Sequence, residues 1–212
     1  MIWLARAAVE VTTARHMGFK DCYDWHQAVW QMFPDSPNDR RCFLFRVDRK
    51  EAKETVLLIA NKKPQRPGWC SESDWSCREL GQAFFEHPFY RFDLRANVTK
   101  RDKARDIYGG RESKGRRFVI TDALEQRNWL VRKGEEYGFK LHEDEFWGLE
   151  IDEREDFRFR KGKEEEGLLV GVRFRGVIQV TDQQKFQQAI CNGIGPARGL
   201  GFGLMMIQPI SI

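Results

Sequence analysis

Five glycines in one short stretch near the C-terminus constrain the fold more than any other feature of the sequence. They fall within eleven residues, between a predicted helix over Asp182–Asn192 and a predicted strand over Leu204–Ile210. Glycine tolerates a positive φ and close backbone approach, but it costs about 0.5–1 kcal/mol inside a regular element. The stretch therefore predicts a loop that turns tightly or touches a ligand. The five glycines are Gly193, Gly195, Gly199, Gly201 and Gly203.

This loop does not match a nucleotide-binding fingerprint. No Gly-Lys-Ser or Gly-Lys-Thr follows it, and its glycines do not complete Gly-x-Gly-x-x-Gly. The order helix, loop, strand is also the reverse of the order in those motifs, so no helix N-terminus follows that could hold a phosphate. A tight helix-to-strand connection without a ligand is the alternative.

The composition indicates a globular chain. Of the 212 residues, 41% are hydrophobic and 13% aromatic, which is enough to build a core. Charges interrupt the apolar N-terminal segment, and no run approaches the roughly 20 residues of a membrane span. We therefore expect a cytoplasmic protein with no membrane partner. The five cysteines contain no Cys-x-x-Cys and are expected to be reduced.

The order of predicted elements indicates an α+β chain with two tandem ferredoxin-like (RRM-like, split β-α-β) domains, over 1–87 and 88–212. Asp21 is a suitable N-cap for the first long helix, and Pro34 ends it. The segment 62–76 is rich in Pro, Gly and polar residues, so the last strand of the first domain has no clear pattern. The elements predicted for the first domain are strands over Met1–Val11, Cys42–Asp48 and Thr55–Ala60, and helices over Lys20–Phe33 and Cys77–Phe85.

The second domain repeats the same order. Asp122 and Glu125 form the pattern of a capping box at the start of its first helix. Its predicted elements are strands over Phe89–Val98 and Phe146–Asp152, a hairpin of Asp156–Arg160 with Leu168–Val180, a final strand over Leu204–Ile210, and helices over Asp122–Arg132 and Asp182–Asn192.

Charge is concentrated in one segment although the net charge is only +4. Between Arg95 and Arg117 there are nine Lys or Arg residues against three acids, an excess of six. Such a segment is typical of a loop that follows RNA phosphates, while a solvated loop or an acidic protein partner are the alternatives. The candidates that we single out here are Lys100, Arg101, Lys103 and Arg105.

Acid–base chemistry is the catalytic option that the residue pattern favours. No histidine has neighbours spaced like a zinc ligand set, and no Gly-x-Ser-x-Gly elbow occurs. Tyr23 and His26 lie one turn apart on the first predicted helix, beside its apolar stripe. A histidine at the rim of such a stripe can exchange protons with a substrate near neutral pH, although a purely structural histidine fits the spacing as well.

The glycine-rich loop resembles that of the CRISPR-associated repeat-processing endoribonucleases, in particular the Cascade-type CasE branch. Their loop reads much like Gly-Ile-Gly-Pro-Ala-Lys-Ala-Phe-Gly-Phe-Gly-Leu; here Arg198 stands in place of Lys, and Gly199-Leu200 in place of Ala-Phe. The resemblance covers the whole chain and implies two ferredoxin-like domains. It also implies that His26 is catalytic and that Tyr23 assists it.

The resemblance further implies a reaction, a substrate and partners. RNA would be cleaved without a metal ion or cofactor by attack of the 2′-hydroxyl on the adjacent phosphate, giving a 2′,3′-cyclic phosphate. The substrate would be the hairpin of a CRISPR precursor transcript, cut at the base of its stem, and the protein would stay on its product among other Cascade subunits. Arg198, Lys20 and Arg15 are the candidate cations for the transition state. RNA contacts are expected from the glycine-rich loop and from four basic residues of the predicted hairpin, Arg158, Arg160, Lys161 and Lys163.

Two other classes of function remain open from the sequence. Ferredoxin-like domains often bind RNA without acting on it, so the chain would also suit a non-catalytic RNA-binding subunit. A protein-assembly module whose basic loop meets an acidic partner is the third hypothesis. Loss of cleavage on changing His26, and the salt dependence of RNA binding, distinguish the three.

Overall fold

The computed structural model describes residues 1–35, 40–101, 117–143, 148–161 and 165–211, and its main strands form two antiparallel sheets. The first sheet has the strand order β2-β3-β1-β4. Two helices follow its first strand, and the second of them carries the candidate catalytic pair. The elements are β1 (Ile2–Glu10), α1 (Val11–His16), α2 (Cys22–Trp30), β2 (Phe43–Lys50), β3 (Lys53–Ala60) and β4 (Trp75–Leu80).

The second sheet has the order β10-β11-β5-β12, with β8 and β9 also paired to β11. A short separate ribbon, β6 with β7, flanks the basic segment. From residue 89 onwards the elements are β5 (Phe89–Asn97), β6 (Thr99–Arg101), β7 (Arg117–Val119), α3 (Ala123–Tyr137), β8 (Phe139–His142), β9 (Glu150–Ile151), β10 (Glu155–Lys161), β11 (Glu165–Val180), α4 (Gln183–Asn192) and β12 (Met205–Pro209).

The strand order confirms the predicted fold class. In the first sheet β1 lies between β3 and β4, with β2 outside β3, and in the second sheet β5 lies between β11 and β12, with β10 outside β11. This is the order of the split β-α-β plan, present twice. The predicted hairpin and the helix over Asp182–Asn192 are also confirmed, as β10 with β11 and as α4.

The helix predicted over Cys77–Phe85 is wrong. Residues 75–80 form β4, which pairs along β1 from Ile2↔Leu80 to Ala7↔Trp75, and only Gln82–Phe85 winds into a short 3-10 helix. The free edge of β1 offers a full ladder of backbone hydrogen bonds, which outweighs a weak local helical preference. The connection between β3 and β4 holds a 3-10 helix, Glu72–Asp74, where the full plan has an α-helix.

Several boundaries also differ from the predictions. The first strand ends at Glu10, and α1 begins at Val11, which was the last residue of the predicted strand. Helix α3 continues to Tyr137 and ends at Gly138, which takes the left-handed conformation. Of the strand expected over Phe146–Asp152, the described part is the short β9, and residues 144–147 lie outside the described residues. No helix in the described ranges is both long and apolar enough to cross a membrane.

The local sequence of α2 explains how it forms and which face it buries. The Asp21 side chain accepts hydrogen bonds from the backbone N–H groups of Tyr23 and Asp24, and the Asp24 side chain accepts one from the backbone N–H of Asp21, which completes a capping box. Trp25 and Val29 face inward and pack in one core cluster with Phe43 and Phe45 of β2. Tyr23 and His26 are half-buried and lie at the edge of this inward face.

A network of charged side chains joins the two sheets. Arg46 of β2 is 3% exposed and bonds to Asp93 of β5 (3.0 Å) and to Asp48 (2.7 Å). Arg173 of β11 donates two further hydrogen bonds to Asp93, and Arg95 of β5 reaches Asp48 at 3.2 Å. These bonds fix β2 against β5, and β2 forms the floor of the candidate site.

Candidate active site

Three segments that are far apart in the sequence meet beside α2. The ring of His26 lies 6.1 Å from that of Phe43 and 6.3 Å from that of Phe45, measured between centroids. The glycine-rich loop closes the other side, because a Cβ on Gly199 would stand 4.0 Å from His26 Cε1 and 2.7 Å from Arg41 Nη1. The fold thus brings together the predicted catalytic helix and the predicted loop.

His26 is half-buried, and none of the described carboxylates pairs with it. Its Nε2 accepts a hydrogen bond from Trp30 Nε1 at 3.2 Å, while Nδ1 is buried without a hydrogen bond among the described residues. Burial lowers the pKa of His26, the positive charge of Arg41 lowers it further, and the backbone of Gly199 opposes the shift. The imidazole is therefore held neutral, in the form that can accept a proton.

Tyr23 lies one turn before His26, with the two ring centroids 6.4 Å apart. It is half-buried, and its ring lies on the same side of the helix as that of His26. The neighbouring Cys22 is not an alternative nucleophile, because burial, reinforced by the charge of Asp21, raises the pKa of its thiol to about 12.

Two arginines supply positive charge at the site. Arg198 donates from Nη1 to the carbonyl oxygens of Asn192 (2.8 Å) and Gly193 (3.4 Å), which anchors it to the end of α4. Arg41 is exposed, and within the described ranges it forms no ion pair with a carboxylate. Partial burial and the nearby charge of Arg198 both lower the pKa of Arg41. Among the described residues, Arg41 is thus a cation near His26 whose guanidinium is not paired with a carboxylate.

The sequence interpretation missed Arg41. It named Arg198, Lys20 and Arg15, of which Arg198 lies next to Gly199 and close enough to Arg41 to lower the pKa of that guanidinium. Lys20 lines a groove with Arg158 and Arg160 at the start of α2, and Arg15 is exposed on α1. Arg41 stands immediately before β2, and no local pattern indicates that the start of this strand faces α2.

The predicted basic hairpin lies beside the same helix. The backbone N–H of Arg160 donates to Asp21 Oδ2 at 2.9 Å, which ties β10 to the N-terminus of α2. Arg158, Arg160 and Lys161 are exposed, and Arg160 pairs with Glu166. Lys163 lies outside the described residues. The hairpin therefore extends the basic surface from the candidate catalytic helix.

The structure describes two of the four basic residues predicted in the segment from Arg95 to Arg117. Lys100 and Arg101 lie on β6, and Lys100 pairs with Glu125 at the start of α3 at 2.7 Å. Lys103 and Arg105 lie outside the described residues. A role for β6 in RNA binding stays a prediction.

The glycines of the loop serve its internal geometry more than its surface. Gly193, Gly201 and Gly203 are buried, while Gly199 is half-buried and Arg198 exposed. Gly203 donates its N–H to Arg95 O and accepts from Ile194 N, so the loop is held to β5. The part of the loop that can meet a ligand is therefore its exposed turn. Positive φ angles occur at Gly193, Gly195, Gly201 and Gly203.

A family model described as CRISPR associated protein matches residues 2–209. The chain belongs to this family. CRISPR system Cascade subunit CasE of Escherichia coli is 30% identical over 195 residues, which cover 90% of this chain and 94% of CasE. CRISPR-associated endoribonuclease Cse3 of Thermus thermophilus is 33% identical, covering 98% of this chain and 100% of Cse3.

A solved structure of CRISPR endoribonuclease Cse3 bound to a 19-nucleotide RNA has the same fold. It superposes with a TM-score of 0.79 at 24% identity and covers 98% of this chain and 100% of that one. The resemblance stated from the glycine-rich loop is thus confirmed as membership of this CRISPR-associated family. The roles of individual site residues remain predictions.

Proposed function

We propose that this protein is a metal-independent endoribonuclease that cleaves CRISPR precursor RNA at the base of the repeat hairpin. His26 carries the proposal, because it is a half-buried imidazole whose pKa is lowered by burial and by the charge of Arg41. The relatives named endoribonuclease and Cascade subunit supply the class of reaction and the assembly. The protein then stays on the mature CRISPR RNA as a Cascade subunit in the cytoplasm.

The reaction needs a base, an acid and positive charge. As the bond between O2′ and phosphorus forms, a base removes the 2′-hydroxyl proton; as the bond to O5′ breaks, an acid protonates the leaving oxygen. His26 transfers one of these protons, a role worth about 10²–10⁴-fold. Tyr23 hydrogen-bonds the nucleophile or shares in the transfer. Arg41, with Arg198 behind it, stabilises the charge of the phosphorane.

Substrate binding is assigned to the β10–β11 hairpin of the protein and to the turn of the glycine-rich loop. A-form RNA hides its base edges in a deep, narrow major groove, so a stem is held largely by its shape and phosphates. Arg158 and Lys161 present exposed cations beside α2, where a stem would place its base near His26. Since these contacts lie on the stem, cleavage at its base removes few of them, and the product is retained.

The two sheets correspond to two proposed domains, 1–87 and 88–212. His26 and Tyr23 belong to the first, while the hairpin and the glycine-rich loop belong to the second. The site therefore forms only when the two are packed together, as the bonds between Arg46 and Asp93 require.

Incubation of the protein with a labelled repeat hairpin in EDTA tests the proposal. We expect one cut and a 2′,3′-cyclic phosphate, and we expect His26→Ala to slow it by about 10²–10⁴-fold with hairpin affinity within a few-fold. His16→Ala is the matched control, since His16 is an exposed histidine on α1 that bonds to Thr12 O. A requirement for magnesium, or a product with a 3′-hydroxyl, contradicts the mechanism.

The same assay separates the other hypotheses. Tight binding of the hairpin without any cut by the wild-type protein would identify a non-catalytic RNA-binding subunit. An absence of salt-dependent RNA binding would favour a protein-assembly module. Cleavage by His26→Ala at the wild-type rate would place the active site elsewhere.

A further inference from the structure

Trp30 is the residue whose side chain is bonded to the imidazole of His26. It lies one turn after His26 on α2, and its indole Nε1 is 3.2 Å from His26 Nε2. The two rings meet edge to face at 85°. Trp30 is itself held by Phe43 of β2, whose ring centroid lies 5.0 Å away at 78°. The bond is thus built between two packed side chains.

The chemistry of the indole determines the state of His26 in this bond. An indole N–H donates and cannot accept, so Nε2 must carry a lone pair to receive it. In the neutral imidazole the proton is then on Nδ1, the nitrogen that faces the interior. When Nε2 gains a proton it becomes a donor, and the bond to Trp30 is lost. The bond therefore exists in one protonation state and stabilises that state.

The other groups around His26 act by different means. Arg41, which precedes β2, disfavours the imidazolium by its charge, and Arg198 of the glycine-rich loop adds positive charge behind it. Tyr23 is the titratable neighbour on α2, while β2 presents Phe43 and Phe45. No carboxylate within the described ranges contributes to the shift in the pKa of His26. The hydrogen bond that defines which nitrogen is unprotonated therefore comes from Trp30.

We propose that Trp30 is a positioning residue that keeps His26 neutral with Nε2 as the accepting nitrogen. The proposal rests on the proposed ribonuclease function and assigns His26 the role of base. On reaction, the 2′-hydroxyl displaces the indole and its proton passes from O2′ to Nε2 as the bond between O2′ and phosphorus forms. The bond between phosphorus and O5′ then breaks, and O5′ takes a proton from water to leave as the 5′-hydroxyl. In the RNA-free protein the indole covers this nitrogen, so the base is exposed only to a substrate that can compete for it.

The test compares Trp30→Phe with Trp69→Phe. Phe keeps an aromatic ring but removes the N–H. Trp69 is a matched control, because its Nε1 donates to the backbone oxygen of Ala28 at 3.3 Å, so that variant loses an indole bond without touching His26. Nitrogen-15 NMR of the RNA-free protein, with His26 assigned by His26→Ala, reports both the tautomer and the titration.

We expect the wild-type spectrum to show Nδ1–H in neutral His26, and we expect Trp30→Phe to raise the pKa of His26 towards its ordinary value. The acid limb of single-turnover cleavage then moves to higher pH, and on that limb the rate falls by about two- to tenfold, the factor that corresponds to one hydrogen bond. Trp69→Phe leaves the pKa of His26 and the acid limb of cleavage unchanged, even if it lowers the stability of the protein.

An Nε2–H tautomer in the wild-type protein, or an unchanged titration of His26 in Trp30→Phe, overturns the proposal. The tautomer measurement needs no variant, so it decides the matter even where Trp30→Phe does not fold. Failure of the proposed function has a different signature: the hairpin is not cleaved by the wild-type protein, whatever the NMR titration shows.

Discussion

Replacing Gly203 by Ala should destabilise the protein more than replacing Gly201, although both glycines have nearly the same positive φ angle. Their φ angles are +81° and +86°. A Cβ on Gly203 would stand 2.6 Å from the carbonyl oxygen of Ile194 and 3.1 Å from Arg198 Cγ. A Cβ on Gly201 would meet its nearest neighbour, Phe45 Cε2, at 3.6 Å, which is ordinary van der Waals contact.

The two variants differ in the close approach of the new Cβ to its surroundings. A positive φ strains an L-residue in both variants, at a cost of about 1–3 kcal/mol. Gly203→Ala must also displace the Ile194 backbone, which itself bonds to Gly203 at 2.9 Å, and overpacking of this kind costs about 1–3 kcal/mol. We expect the free energy of unfolding to fall by about 1–3 kcal/mol more in Gly203→Ala.

Urea unfolding of both variants gives the stabilities, and single-turnover cleavage of a repeat hairpin gives the effect on the site. Because the new methyl group also crowds Arg198, we expect slower cleavage by Gly203→Ala than by Gly201→Ala at a temperature where both are folded. Equal losses of stability, within about 0.5 kcal/mol, would show that the loop has room at Gly203 and would refute the reasoning.

Two further predictions concern charge. Asp93→Ala should lower the free energy of unfolding by about 3 kcal/mol, because it leaves the buried Arg46 without one of its partners. Burial would raise the pKa of Asp93, but Arg173 and Arg46 outweigh it and lower the pKa. The stabilisation by the Asp93 carboxylate is therefore complete above the ordinary pKa of an aspartate, and it is lost as the pH falls through the lowered pKa of Asp93. Urea unfolding in acid should show the free energies of unfolding of the variant and the wild type becoming equal. Arg158→Ala should lower the slope of the salt dependence of RNA binding by about one unit, whereas Arg15→Ala, on α1, should not. Equal slopes for the two variants would show that the β10–β11 hairpin does not contact the RNA.

The sequence alone determined the elements whose signals are local. Asp21 and Asp24 form a capping box within four residues, so the start of α2 can be predicted from neighbouring residues alone. The glycine-rich loop can be predicted in the same way, because glycine is the residue that adopts a positive φ most readily and four glycines of this loop have one. The paired strands β10 and β11 follow from apolar alternation on both sides of a charged turn.

The tertiary structure decided what depends on partners distant in the chain. Residues 77–80 became part of a strand because the edge of β1 was free to pair with them, which no local pattern shows. Arg41 entered the candidate site because β2 packs under α2 and the glycine-rich loop folds back over both. Backbone propensity acts over a few residues, whereas strand pairing and the meeting of His26 with Arg41 depend on contacts that form only when the whole chain is folded.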